Sequence, residues 1–182
     1  MGDPAGIGPE VVLKALAHAD VFECCRPLVI GDRRILERAA DWLAQIPELD
    51  IVADPKMGSY EPGHVTLLDL ENAPPDRIRV GEESAAAGAA AVEYVFRACD
   101  LAMAGEVDAV VTAPLNKAAM HLAGYEYAGH TELLAERTGA DRVSMLLIGP
   151  NLRIVHVSTH LALADAIARH AATGRGCHPN CS

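Results

Sequence analysis

The sequence predicts an α/β protein: a mostly parallel sheet with helices on both faces and an antiparallel pair inserted. Three observations carry this. Segments with helical and strand patterning alternate along the chain. The strand-like segments are short, continuous apolar runs, as strands buried on both faces require. Apolar residues make up 51% of the 182 positions, charged residues 22% and aromatics only 4%, a composition suited to close-packed aliphatic helices on a sheet.

The elements follow in order. A helix opens near Gly8, with Pro9 in its first turn, where a missing N–H costs nothing. Val11, Val12, Ala15, Leu16 and Ala19 then recur at helical spacing. Pro27–Gly31 reads as a short buried strand, and Asp32 caps a helix reaching about Gln45. Val65–Leu70 is a second strand. Ser84 to about Ala104 is a long alanine-rich helix, whose small side chains let it lie close to its neighbours. Asp108–Thr112 reads as a third buried strand. Arg142–Ile148 and Leu152–Val157 flank the turn Gly149-Pro150-Asn151, a gap short enough for an antiparallel hairpin. Leu163 to about His170 is helical. The stretches 55–62 and 72–76 are the only linker-like segments, and no internal repeat is present.

Charge and composition exclude several classes. A net charge of −10 opposes a nucleic-acid footprint, which is basic. No apolar run reaches the roughly 20 residues that span a bilayer. With no charged leader before an apolar segment and an odd five cysteines, the sequence reads as cytoplasmic. Both ends read as incomplete. A glycine turn such as residues 2–6 normally follows a strand, and apolar periodicity stops abruptly at Ala171. The expectation is a partial α/β domain over 1–170 and an irregular tail over 171–182, consistent with an out-of-frame reading.

Several residues carry chemistry or its imitation. Gly6-Ile7-Gly8 is not a dinucleotide fingerprint, because G-x-G-x-x-G requires glycine where Val11 stands. The glycines shape a turn, or a turn whose following helix faces a ligand. Lys117 lies five residues past Thr112, placed either to hold a phosphate or carboxylate or simply to be solvated. His130 and Thr131 sit at a helix start, either as a pair that hydrogen-bonds an anionic ligand or with Thr131 as the cap. His156 and His160 are four apart, but β-branched surroundings place His156 within a strand and His160 just beyond its end, the better position for a ligand. One histidine does not make a metal site. Cys177, His178 and Cys181 match no standard zinc spacing, and accident is the better reading.

Taken together, GDPAGIGPE from Gly2, GEESAAAGAAAVEYV from Gly81, VTAPLNK from Val111, GHTELLAERTG from Gly129 and STHLALADAI from Ser158 resemble the 4-hydroxythreonine-4-phosphate dehydrogenase family of vitamin B6 biosynthesis. The resemblance runs from Gly2 to about Ile167. It implies the two-lobed fold of isocitrate and isopropylmalate dehydrogenases, with only the N-terminal part present. It also implies a homodimer whose sites draw on both subunits. The implied reaction is oxidation of 4-phosphooxy-threonine by NAD with a divalent metal (Zn, Mg or Co), followed by decarboxylation. His130 and Thr131 match the substrate-binding pair, Lys117 falls in a family motif beside them, and His160 matches the first of three metal-ligand histidines. The other two histidines would lie in a half that these 182 residues do not contain, so the chain as given is expected to be inactive or nearly so. Alternatives are a related dehydrogenase of four-carbon sugar acid phosphates or aromatic dihydrodiols, and a non-catalytic remnant.

Overall fold

In a computed structural model, described over residues 1–43, 47–156 and 162–173, the chain divides into two units, Met1–Ala140 and Asp141–Ser182. The first is a three-layer arrangement. Its sheet has strands β1 (Leu28–Gly31), β2 (Glu48–Ile51) and β3 (His64–Asp69) in the order β1-β3-β2, all parallel. Alternation along the strands divides the core in two. Val29, Val65 and Leu67 face helices α1 (Gly8–Leu16) and α3 (Arg33–Ala40), meeting Leu13, Leu16 and Leu36. Ile30 and Leu68 face the opposite way, onto Ala87, Ala90 and Tyr94 of α4 (Ala85–Met103). A short helix α2 (Ala19–Cys24) links α1 to β1.

The cap expected at Asp32 is in place, and Ser84 caps the long helix. Asp32 accepts a hydrogen bond from Arg34 N at the start of α3, and Ser84 accepts one from Ala87 N at the start of α4. Helix α4 is buried on two sides. Val92, Val95 and Cys99 turn from the sheet toward Met120 of α5 (Lys117–Leu122) and Leu133 of α6 (His130–Thr138). The second unit carries an antiparallel hairpin, β4 (Leu146–Ile148) with β5 (Arg153–Val155), and helix α7 (Leu163–Thr173).

Four expectations need correction. Asp108–Thr112 is irregular, not a buried strand, and Val111 is 96% exposed. A strand needs a ladder partner, and among the described residues none pairs with this run. The helix after Asp32 ends at Ala40, because Trp42 N and Leu43 N bond only three residues back, to Ala39 O and Ala40 O. The hairpin forms its own two-stranded sheet and is not inserted into the parallel one. Its strands are shorter than expected and exposed throughout, so no buried face extends their pairing. β5 therefore stops before His156. Strand β2 was not legible: Glu48 and Asp50 interrupt its apolar residues, as befits a half-exposed edge.

Candidate functional site

Ala113 is the meeting point of the sequence motifs. The first turn reaches it from one side. Gly2 adopts φ +78°, and a Cβ there would stand 2.7 Å from Pro114 O and 2.9 Å from Ala113 Cβ. Only glycine meets both requirements. Asp3 N donates to Pro114 O at 3.0 Å, and Ala5 N donates to Asp3 Oδ1 at 2.9 Å. The segment before α4 joins next: Gly81 N donates to Ala5 O at 2.8 Å, and Asn116 Nδ2 donates to Glu83 Oε1 at 3.4 Å. Asn116 also caps α5, its Oδ1 accepting from Ala119 N at 3.0 Å. Residues near 2–8, 81–83 and 113–117 are thus tied by backbone and side-chain bonds.

His130 closes this assembly from the other side. It is the first residue of α6, and Gly129 is the N-cap, with no side-chain cap on the helix. Thr131 therefore does not cap α6; it lies half-buried in the first turn. His130 is half-buried, and its Nε2 is buried without a partner. Burial lowers the imidazole's pKa below its ordinary value, and the polar backbone near Ala113 opposes that shift. Lys117 is exposed and begins α5. A Cβ placed on Gly129 would lie 3.9 Å from Lys117 Cε and 3.9 Å from Glu132 Oε2. Lys117 makes no ion pair among the described residues. The first turn adds a buried carboxyl: Asp3 is 7% exposed, and burial raises its pKa despite the bond from Ala5 N, with Glu83 adding to the rise.

The structure therefore places Lys117 beside Gly129, next to His130 and Thr131 at the start of α6. His160 lies outside the described residues, as do Cys177, His178 and Cys181. His156 is half-buried just past β5. Among the described residues no group of three His, Cys, Asp or Glu side chains is placed to hold a metal ion.

Two open clefts lie elsewhere. One, of about 420 Å³, sits at the carboxyl ends of the three parallel strands and is lined by Arg33, Arg34, Ile51, Asp69 and Glu71. The other, of about 450 Å³, is lined by His121, Glu126, Tyr127 and Ala128. Sequence reasoning missed the first, although Asp32 followed by two arginines at a strand's end was a legible signal. It also missed the part played by Ala113, because a backbone acceptor leaves no mark on residue type.

Comparison with known proteins identifies the family and the fold. Residues 23–173 match the family model described as pyridoxal phosphate biosynthetic protein PdxA. The chain is 46% identical over 169 residues to a D-threonate 4-phosphate dehydrogenase of Cupriavidus necator, covering 93% of this chain and 50% of that protein. It is 45% identical over 166 residues to a 4-hydroxythreonine-4-phosphate dehydrogenase of Desulfosudis oleivorans, covering 91% and 48%. A crystal structure of a 4-hydroxythreonine-4-phosphate dehydrogenase from Burkholderia phymatum superimposes with a TM-score of 0.85 at 49% identity, covering 93% of this chain and 51% of that one. The chain thus spans about half the length of these relatives. With the fold and the motif assembly around Ala113 both accounted for, the chain belongs to the PdxA family of dehydrogenases.

Proposed function

We propose that this chain supplies the phosphoryl-binding half of an NAD-dependent, metal-assisted dehydrogenase of 4-phosphooxy-threonine, acting in pyridoxal phosphate biosynthesis. One observation carries the reading. His130 Nε2 is buried with no partner at an N-terminus of α6 that no side chain caps, and Lys117 stands beside Gly129. Such a group needs a hydrogen-bonding partner, and the positive end of a helix plus a nearby ammonium favours an anionic one.

In this reading His130 and Thr131 bind the phosphorylated substrate, Lys117 adds charge attraction, and the bonds among residues 2–8, 81–83 and 113–117 hold the floor rigid. The family resemblance assigns hydride acceptance to NAD and electrophilic help at the oxidised hydroxyl to a divalent cation. His160 is the one expected metal ligand in this sequence. Paired subunits are part of the same reading, and the exposed apolar hairpin β4–β5 offers a surface for them. So is a cytoplasmic location.

A second substrate class is favoured by a specific likeness: the Cupriavidus necator relative is named for D-threonate 4-phosphate. Calorimetric titration of the chain with each of the two phosphorylated compounds separates the two readings. Saturable binding of 4-phosphooxy-threonine, lost in His130→Ala, supports the first. Preference for the sugar acid phosphate moves the assignment to the second. No binding of either ends both.

A further inference from the structure

The cleft at the carboxyl ends of β1, β2 and β3 is walled by three separate elements. Arg33 and Arg34 come from the start of α3, Ile51 from the end of β2, and Asp69 and Glu71 from the end of β3 and the turn beyond it. Its volume of about 420 Å³ falls within the range of roughly 300–1,000 Å³ common to small-molecule sites. In parallel α/β sheets this is the end at which ligands bind.

Several of the charged groups are held in place from outside the cleft. The buried Asp32 carboxylate grips Arg34 through Nε at 3.0 Å and Nη2 at 2.7 Å, which leaves Nη1 without a hydrogen bond among the described residues. Arg33 meets Glu37 only through Nε, at 3.3 Å. Asp69 Oδ1 accepts from Arg33 N and from Glu71 N, both at 3.1 Å, so Oδ2 is its free oxygen. The Glu71 carboxylate makes no ion pair among the described residues. Ala73 N donates to Asp32 Oδ2 at 2.8 Å, which anchors the turn after β3 on the same buried carboxylate. Free donors and free acceptors therefore share one opening, on a backbone already fixed.

That mixture restricts the ligand. A bare anion meets two carboxylates, and a bare cation meets two guanidinium groups. The ligand that suits both walls carries an anion and, apart from it, hydroxyl donors. We propose that this cleft binds a nucleoside monophosphate. Arg33 and Arg34 hold the phosphate, for which planar guanidinium groups are well matched. Asp69 Oδ2 and Glu71 accept from the two ribose hydroxyls, as carboxylates near strand ends do in other α/β folds. The base lies against Ile51, an apolar side chain 44% exposed at the cleft's edge. This site is separate from His130 and does not rest on the reading of that residue.

Adenosine monophosphate is the probe, titrated calorimetrically into the 182-residue chain. The expected result is saturable binding, with adenosine and inorganic phosphate each at least roughly tenfold weaker. Arg33→Gln weakens the nucleotide and inorganic phosphate alike and leaves adenosine unchanged. Glu71→Gln shrinks the preference for the nucleotide over inorganic phosphate by roughly tenfold, because losing a hydroxyl contact and losing a repelling charge act on that ratio in the same direction. Both side chains are on the surface, so both variants should keep the parent's circular dichroism. His130→Ala keeps the parent's affinity for the nucleotide. No saturable binding up to about 10 mM overturns the inference. So does inorganic phosphate bound as tightly as the nucleotide, which marks a plain anion site, or serine bound in its place, which marks a site for a small zwitterion. Nucleotide binding that survives both cleft variants, or that is lost in His130→Ala, places the ligand elsewhere and overturns it as well.

Discussion

Gly88 of α4 passes so close to the carbonyl of Ala119 in α5 that a methyl group there would collide with the backbone. The alanine-rich stretch around Gly88 is thus a contact surface as well as a good helix former. Alanine at this position gains helix propensity of about 1 kcal/mol. Overpacking against an immovable carbonyl costs typically 1–3 kcal/mol, so the collision wins. Gly88→Ala is expected to destabilise the chain by roughly 1 kcal/mol net. Its urea midpoint should fall, and a rise would show that α5 shifts freely.

Asp32 makes the next prediction. Its side chain is fully buried and accepts hydrogen bonds from Arg34 N, Arg34 Nε and Nη2, and Ala73 N. Burial pushes the carboxyl up, but the bonds from Arg34 and Ala73 together outweigh it and hold the pKa below its ordinary value. A carboxylate whose pKa is lowered on folding stabilises the fold above its unfolded pKa, and that contribution disappears as pH falls through the folded value. Asp32→Asn should therefore cost about 2 kcal/mol at neutral pH, from weakened charge-assisted bonds and a poorer cap. Denaturation at a series of pH values should show the gap between variant and parent closing below about pH 4.

His130 gives a pH dependence of opposite charge type. Its imidazole is held neutral by burial, and a base whose pKa is lowered on folding contributes stability above its unfolded pKa that is lost on acidification. Between about pH 8 and pH 5 the parent chain should lose more stability than His130→Gln, measured by chemical denaturation. Equal losses would mean that the ring protonates freely in the folded state.

The hairpin supplies a test of association. Ile148 is 70% exposed and Leu147 46%, and both strands are uncovered along their length. Contiguous apolar surface of this kind favours contact with another chain. Sedimentation velocity of the 182-residue chain should show dimers or larger species, and Ile148→Lys should shift the distribution toward monomer. A monomeric parent chain removes the hairpin as a pairing surface.

The surface pair Arg137–Asp100 should matter little. Both side chains are about two-fifths exposed, although the guanidinium also lies 5.0 Å from the centroid of the Phe96 ring. Exposed pairs contribute 0–1 kcal/mol, so Arg137→Met should change stability by less than about 1 kcal/mol. A larger loss would assign the stacking on Phe96 more than a surface role.

Much of the fold was readable because local rules and packing agreed. Asp32 was a legible cap and Ser84 a legible helix start, and Leu28–Gly31 and His64–Asp69 were legible strands, because a strand buried on both faces is largely apolar. Asp108–Thr112 has the same apolar signature and no ladder partner among the described residues, and composition alone does not reveal a missing neighbour. Glu48–Ile51 erred the other way: an edge strand tolerates charge, so its pattern was faint. At the site, His130, Thr131 and Lys117 were marked by residue type and position. The Ala113 backbone beneath them was not, since only three-dimensional closure brings it there.

The strand order has a consequence for how the chain acquires its shape. β3 pairs with both β1 and β2, while those two never touch. Residues 28–31 and 48–51 therefore wait, unpaired and partly apolar, until residues 64–69 leave the ribosome. Among the described residues the sheet thus closes around its last-made strand, and a nascent chain halted before that point leaves the edges of β1 and β2 open to aggregation.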